Sequence, residues 1–117
     1  MPHPVVWFEV IGKDGDALNS FYTELFGWKS EPAPAAGYHM LTTEGDQASG
    51  GVGTDPSGGD GHVTFYVQAD DLQAGLDKAQ SLGGQTVMPP TEMEGTTIAL
   101  FADPEGHVVG LVKPPAG

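Results

Sequence analysis

The sequence predicts an α+β fold built from two βαβββ-like modules in one chain. Three observations predict it. A strand pattern followed by a capped helix pattern occurs near the N-terminus and again at residue 62. The two copies align without gaps: a shift of 57 takes Val5 to His62, Phe8 to Phe65, Val10 to Val67, Asp14 to Asp71, Leu25 to Leu82 and Gly27 to Gly84. Short strand patterns separated by turn residues follow each helix. A period this long, seen twice, fits duplication within one domain rather than a solenoid.

The elements follow in order. Val5–Val10 is rich in β-branched and aromatic residues and reads as a strand. Asp14 or Asp16 caps a helix, because a short carboxylate satisfies the free N–H groups of a first turn. Leu18, Phe21, Tyr22 and Leu25 supply its apolar stripe, and Gly27 suits the left-handed stop. Tyr38–Thr43 and Ser49–Val52 are weaker strands, and Gly53–Gly61 is a loop. His62–Val67 restarts the pattern. Asp70 or Asp71 caps a helix carrying Leu72, Leu76, Ala79 and Leu82, with Gly83-Gly84 as its stop. Gln85–Met88, Thr96–Ala102 and His107–Lys113 read as strands. Asp103-Pro104-Glu105-Gly106 has the residues of a type I turn and makes the last two a hairpin. The reading is one domain over 1–117: a module of about 1–53, a linker of 54–61 and a module of about 62–117.

Composition narrows the function. The chain has 117 residues and 12.1 kDa, enough for one core. Sixteen acidic residues against four lysines and no arginine give a formal charge of −12. That field repels phosphate backbones and anionic bilayers, so neither nucleic acid nor membrane is an expected partner. The absence of cysteine excludes disulfides and thiolate chemistry and fits a reducing compartment. No apolar run approaches the roughly 20 residues of a membrane span. Met1-Pro2-His3-Pro4 does not read as a signal peptide, and the expected location is cytoplasmic.

Side chains alternate across a strand, so each strand offers two faces. Val6, Phe8 and Val10, their counterparts Val63, Phe65 and Val67, and Val109 with Leu111 form an apolar set expected to pack under the helices. The opposite face holds Val5, Trp7 and Glu9, then His62, Thr64 and Tyr66, then Val108, Gly110 and Val112. On a curved sheet this mixed face becomes a cleft with apolar walls and few polar groups, the composition of small-molecule pockets. It serves equally as a dimer seam, and Trp7 and Tyr66 argue only against full solvation.

The chain resembles the vicinal oxygen chelate superfamily, which contains glyoxalase I, bleomycin-resistance proteins and extradiol dioxygenases. The likeness covers nearly the whole chain. It rests on the paired modules, on Asp-x-x-x-x-Phe-Tyr-x-x-x-Phe-Gly-Trp in Asp16–Trp28, on Gly50-Gly51-Val52, and on Asp103-Pro104-Glu105-Gly106-His107 before the last strand. It implies a glyoxalase-like fold, a curved eight-stranded mixed sheet around a cavity. It also implies a divalent metal held by residues of the first and last strands of each module. The matching positions here are Val5, Gly51, His62 and Gly110, of which only His62 can bind a metal. A family variant with a histidine two residues further along the first strand meets Trp7. Glu9, on the side of His62, adds one oxygen. Two protein ligands fall short of the three of typical catalytic sites.

The expectation is therefore a small-molecule-binding protein with a degenerate metal site and no cofactor, in the manner of bleomycin-resistance proteins. Its cleft is lined by Trp7, Tyr66, Thr64, Met40 and Phe101, with Glu9 and His62 as polar anchors. A homodimer is expected, and the acidic balance suits a cationic or neutral ligand. The alternatives are a metal-dependent lyase or dioxygenase, with His62 and Glu9 as the metal candidates, and a non-catalytic dimeric interaction module. Gly50, Gly51 and Gly53 read either as places for a ligand to approach the backbone or as a bend. His39 reads as an exposed pair-former and His107 as solvated beside its turn, His3 as part of a mobile end, and Glu92 and Glu94 as a loop at the cleft edge.

Overall fold

The computed structural model describes residues 2–34, 37–93 and 95–114. Among them run β1 (Val5–Gly12), α1 (Gly15–Phe26), β2 (Lys29–Pro32), β3 (Tyr38–Thr42), β4 (Gly50–Thr54), β5 (His62–Gln68), α2 (Leu72–Ser81), β6 (Gln85–Met93), β7 (Thr96–Ala102) and β8 (Val108–Val112). This is the expected α+β class, with the βαβββ order twice. In the first module the strand order is β2-β3-β4-β1, and in the second β5-β8-β7-β6. Both sheets are mixed: β1–β4 and β5–β8 pair in parallel, the other neighbours within each module antiparallel.

The chain divides into two compact units. One is Trp7–Val63; the other joins the residues before Trp7 to those after Val63. Within the second unit, Gln68 N–H donates to Pro4 O at 2.9 Å, and His3 Nδ1 lies 3.0 Å from Gln68 O. His3 is thus held by a backbone carbonyl.

Local chemistry explains the helices. Asp14, not Asp16, caps α1 by accepting from Ala17 N–H at 3.0 Å. Asp71, not Asp70, caps α2 by accepting from Ala74 N–H at 3.0 Å. Gly27 takes a φ of 72° and ends α1. The Asp16–Trp28 motif acquires a physical meaning as well. Tyr22, Phe26 and Trp28 form an aromatic cluster with Phe8 of β1, with centroids 4.8–6.4 Å apart.

β1 runs on to Gly12 and β4 to Thr54, into the expected loop, and two further strands differ more from the sequence reading. Lys29–Pro32 forms β2, which its polar residues and proline concealed; as an edge strand it pairs only with β3. β6 continues through Pro89-Pro90 to Met93, so Glu92 lies in a strand opposite Thr97, not in a loop. The register shifts twice between Thr86 and Thr91, which lets an edge strand carry two prolines. Glu94 lies outside the described residues.

The cores are small. Leu41 and Val52 are fully buried in the first unit; Leu72, Leu76, Ala99 and Leu111 anchor the second. The expected apolar face of β5 is only partly covered. Val67 packs on the second core, but Phe65 is 43% and Val63 76% exposed. α2 seats on β6, β7 and β8.

Candidate functional site

The unit Trp7–Val63 assembles a hydrogen-bonded row on the sheet face opposite α1. Trp7 and Glu9 project from β1 on the same side, two residues apart. The β1–β4 register sets Glu9 beside Gly51, and the β3–β4 register sets Met40 beside Gly51 and Tyr38 beside Gly53. With no side chain on either glycine, the Tyr38 ring lies down over β4. A β-carbon on Gly51 would overlap the Tyr38 hydroxyl. So these glycines are neither a ligand approach nor a bend; they are the bed of an aromatic ring.

That ring delivers its hydroxyl to the centre of the face. Trp7 Nε1–H donates to Tyr38 Oη at 3.1 Å, and Tyr38 O–H donates to Glu9 Oε2 at 3.0 Å. The other oxygen of Glu9, Oε1, lies 3.3 Å from His62 Nε2. The row is thus indole, phenol, carboxylate, imidazole. The Glu9 side chain is 14% exposed and that of His62 42%, so His62 is the solvent-facing end. Trp7, Tyr38 and Met40 are half-buried beside it. The arrangement offers an arriving molecule an imidazole edge, aromatic and thioether surface, and a carboxylate held by Tyr38 and His62 among its neighbours.

The sequence proposed Trp7, Glu9, Met40 and His62 as site residues, and the structure brings these four together within the unit Trp7–Val63. It missed Tyr38, the residue that links them. The available signal was the pair Gly51 and Gly53, alternate residues on one strand face, which leave room for a ring from the next strand.

In the second module, Thr64 and Tyr66 sit on the mixed face of β5. Thr64 Oγ1–H donates to Val108 O at 2.7 Å, and Thr64 and Tyr66 are both buried. Tyr66 stands beside Gly110, whose β-carbon would overlap its ring. Phe101 is on the other face, beside Val109, against the core under α2. The remaining histidines have structural partners. His39 Nε2 lies 2.7 Å from Asp16 Oδ1, fixing β3 to α1, with its side chain only 19% exposed. His107 Nδ1 lies 3.0 Å from Asp103 Oδ2 within the hairpin turn. The backbone N–H of His107, its imidazole and the N–H of Glu105 hold the Asp103 carboxyl below its ordinary pKa of 3.8. Asp55 is lowered likewise, chiefly by the hydroxyl and N–H of Ser57.

Among the described residues no three of His, Cys, Asp and Glu converge on one point. Glu9 and His62 are engaged with each other, and the adjoining place at residue 51 belongs to a phenol.

The profile of the glyoxalase-like domain family matches residues 8–112, and the chain belongs to that family. It is 32% identical over 113 residues to the Mycobacterium bovis protein named "Putative glyoxylase CFP32", covering 90% of this chain and 43% of that protein. It is 31% identical over 124 residues to the anthracycline biosynthesis protein DnrV of Streptomyces peucetius, covering 90% and 45%. The chain spans less than half the length of these curated relatives. Two solved structures share the fold. A glyoxalase/bleomycin resistance protein/dioxygenase superfamily member from Vibrio splendidus has a TM-score of 0.64 at 16% identity, covering 97% of this chain and 100% of its own. The Mn(II)-bound glyoxalase of Novosphingobium aromaticivorans has a TM-score of 0.64 at 15% identity, covering 96% and 40%.

Proposed function

We propose that this chain binds a small aromatic molecule, cationic or neutral, on the first module's face, without a resident metal. The observation that carries the proposal is the row Trp7–Tyr38–Glu9–His62, which fixes a carboxylate among aromatic rings and leaves an imidazole accessible. A carboxylate beside aromatic surface favours a cation, and the −12 formal charge adds to that preference. The relatives named for anthracycline biosynthesis support an aromatic ligand. A homodimer and a cytoplasmic location complete the proposal, the latter supported by the cysteine-free composition. Among the described residues no helix is long and apolar enough to cross a membrane.

The test is fluorescence titration with a panel of cationic, neutral and anionic polycyclic aromatics. Trp7 and Trp28 are the two tryptophans, so a Trp28→Phe background isolates Trp7. Cationic members should quench Trp7, and Glu9→Gln should weaken them about tenfold or more, the scale of one hydrogen bond to a charged group. Hits that Trp7→Ala, Glu9→Gln and His62→Ala all leave unchanged would place the site elsewhere. A second reading, a metal-dependent lyase or dioxygenase, draws on the relatives named as glyoxylases. It requires donors beyond Glu9 and His62. Elemental analysis of protein purified without chelator separates the two, because a stoichiometric divalent ion would replace the first reading by the second.

A further inference from the structure

We infer that Tyr38 is a positioning residue that closes the first module's site to a divalent cation by occupying the space of a side chain at residue 51. Gly51 is beside Glu9 in the β1–β4 register, so a side chain there would project next to the Glu9 carboxylate. Glu9 already reaches His62 at 3.3 Å. A carboxylate at 51 would therefore be the third donor beside a carboxylate and an imidazole, the ligand count that holds a divalent ion. The phenol stands in that space instead. It donates to Glu9 Oε2 at 3.0 Å and is itself anchored by Trp7 at 3.1 Å. A neutral O–H donor thus stands where an anionic acceptor would, and it donates to the Glu9 carboxylate.

The second module repeats the device. Its register sets Tyr66 beside Gly110 as the first sets Glu9 beside Gly51, and the Tyr66 ring covers Gly110. In both modules the last strand gives up a side chain and a phenolic ring takes the room. The first is reached from β3, the second from β5, so the two arise from different elements.

The inference rests on the metal-free part of the reading above; a Zn2+ titration tests it without reference to any organic ligand. Zn2+ affinity is measured by competition with a chromogenic chelator for the native chain, Tyr38→Ala, the Tyr38→Ala/Gly51→Glu double variant and that variant with His62→Ala. The double variant should form a 1:1 complex roughly 100-fold tighter than the native chain, and His62→Ala should abolish the gain. Equal affinity in native chain and double variant, with native folding shown by circular dichroism, overturns the inference. So does a native 1:1 complex weakened by His62→Ala. A stability cycle guards against failed folding. Gly51→Ala should lower the melting temperature sharply, and adding Tyr38→Ala should recover most of the loss. No loss, or no recovery, means that Tyr38 does not fill this space.

Discussion

A β-carbon added to Gly50 would overlap the Phe8 ring on the helix side, as one added to Gly51 would overlap Tyr38 on the other. Neighbouring glycines thus bed one ring on each face of β4. Gly50→Ala should destabilise by about 3 kcal/mol, at the upper end of overpacking costs, because the ring it displaces belongs to the Trp28 cluster. Urea denaturation followed at Trp28 measures it. Leu41→Ala should cost about 2–5 kcal/mol by the same assay, since Leu41 is fully buried. Asp103 makes a pH prediction. Its folded pKa lies below 3.8, so its contribution to stability is present above that value and is lost as pH falls through the lower one. Asp103→Asn should therefore melt below the native chain at pH 7, and the two curves should converge as pH drops beneath 3.8. At this scale the sequence was partly legible. Glu9 and His62 could be proposed because alternation puts them on one face; Tyr38 was missed because its signal lies not at its own position but in the side chains absent from Gly51 and Gly53.

Helix ends were the most legible elements. Each was narrowed to two adjacent or near-adjacent aspartates, and the structure selects the one whose carboxylate reaches the third residue on. Asp14→Ala and Asp71→Ala should each cost about 1 kcal/mol, while Asp16→Ala and Asp70→Ala should not lose a cap. Thermal unfolding of the four variants checks the assignment. Strands were legible where β-branched and aromatic residues concentrate, as in β1, β5 and β8. They were not legible at sheet edges. β2 and the second half of β6 carry lysine, glutamate and proline because an edge strand has one partner only, so strand propensity is not demanded of it. Face assignment in β5 held only in part: Val67 packs on the core, whereas Phe65 and Val63 are exposed. Alternation says which residues share a face, but not how far along the strand that face is covered.

For the molecule as a whole, the duplication was legible because caps, stripe and stop recur together. The charge has a consequence of its own. Like charges at −12 repel in the folded state, and salt screens them over roughly 10 Å at 0.1 M. The melting temperature should rise as sodium chloride is raised from about 10 to 150 mM, and differential scanning calorimetry measures it. A flat response would mean that the acidic groups are too dispersed to interact.

The first few residues keep company with the second half of the sequence rather than with the strand they begin. A protease cut in the stretch 55–61 would consequently split the polypeptide into pieces that do not match its spatial halves. The amino-terminal piece would carry off Pro4, whose carbonyl serves Gln68 of the other piece. Fragment complementation or circular permutation of this protein should therefore be planned around the junction at Val6–Trp7, not around the glycine-rich connector that invites the cut.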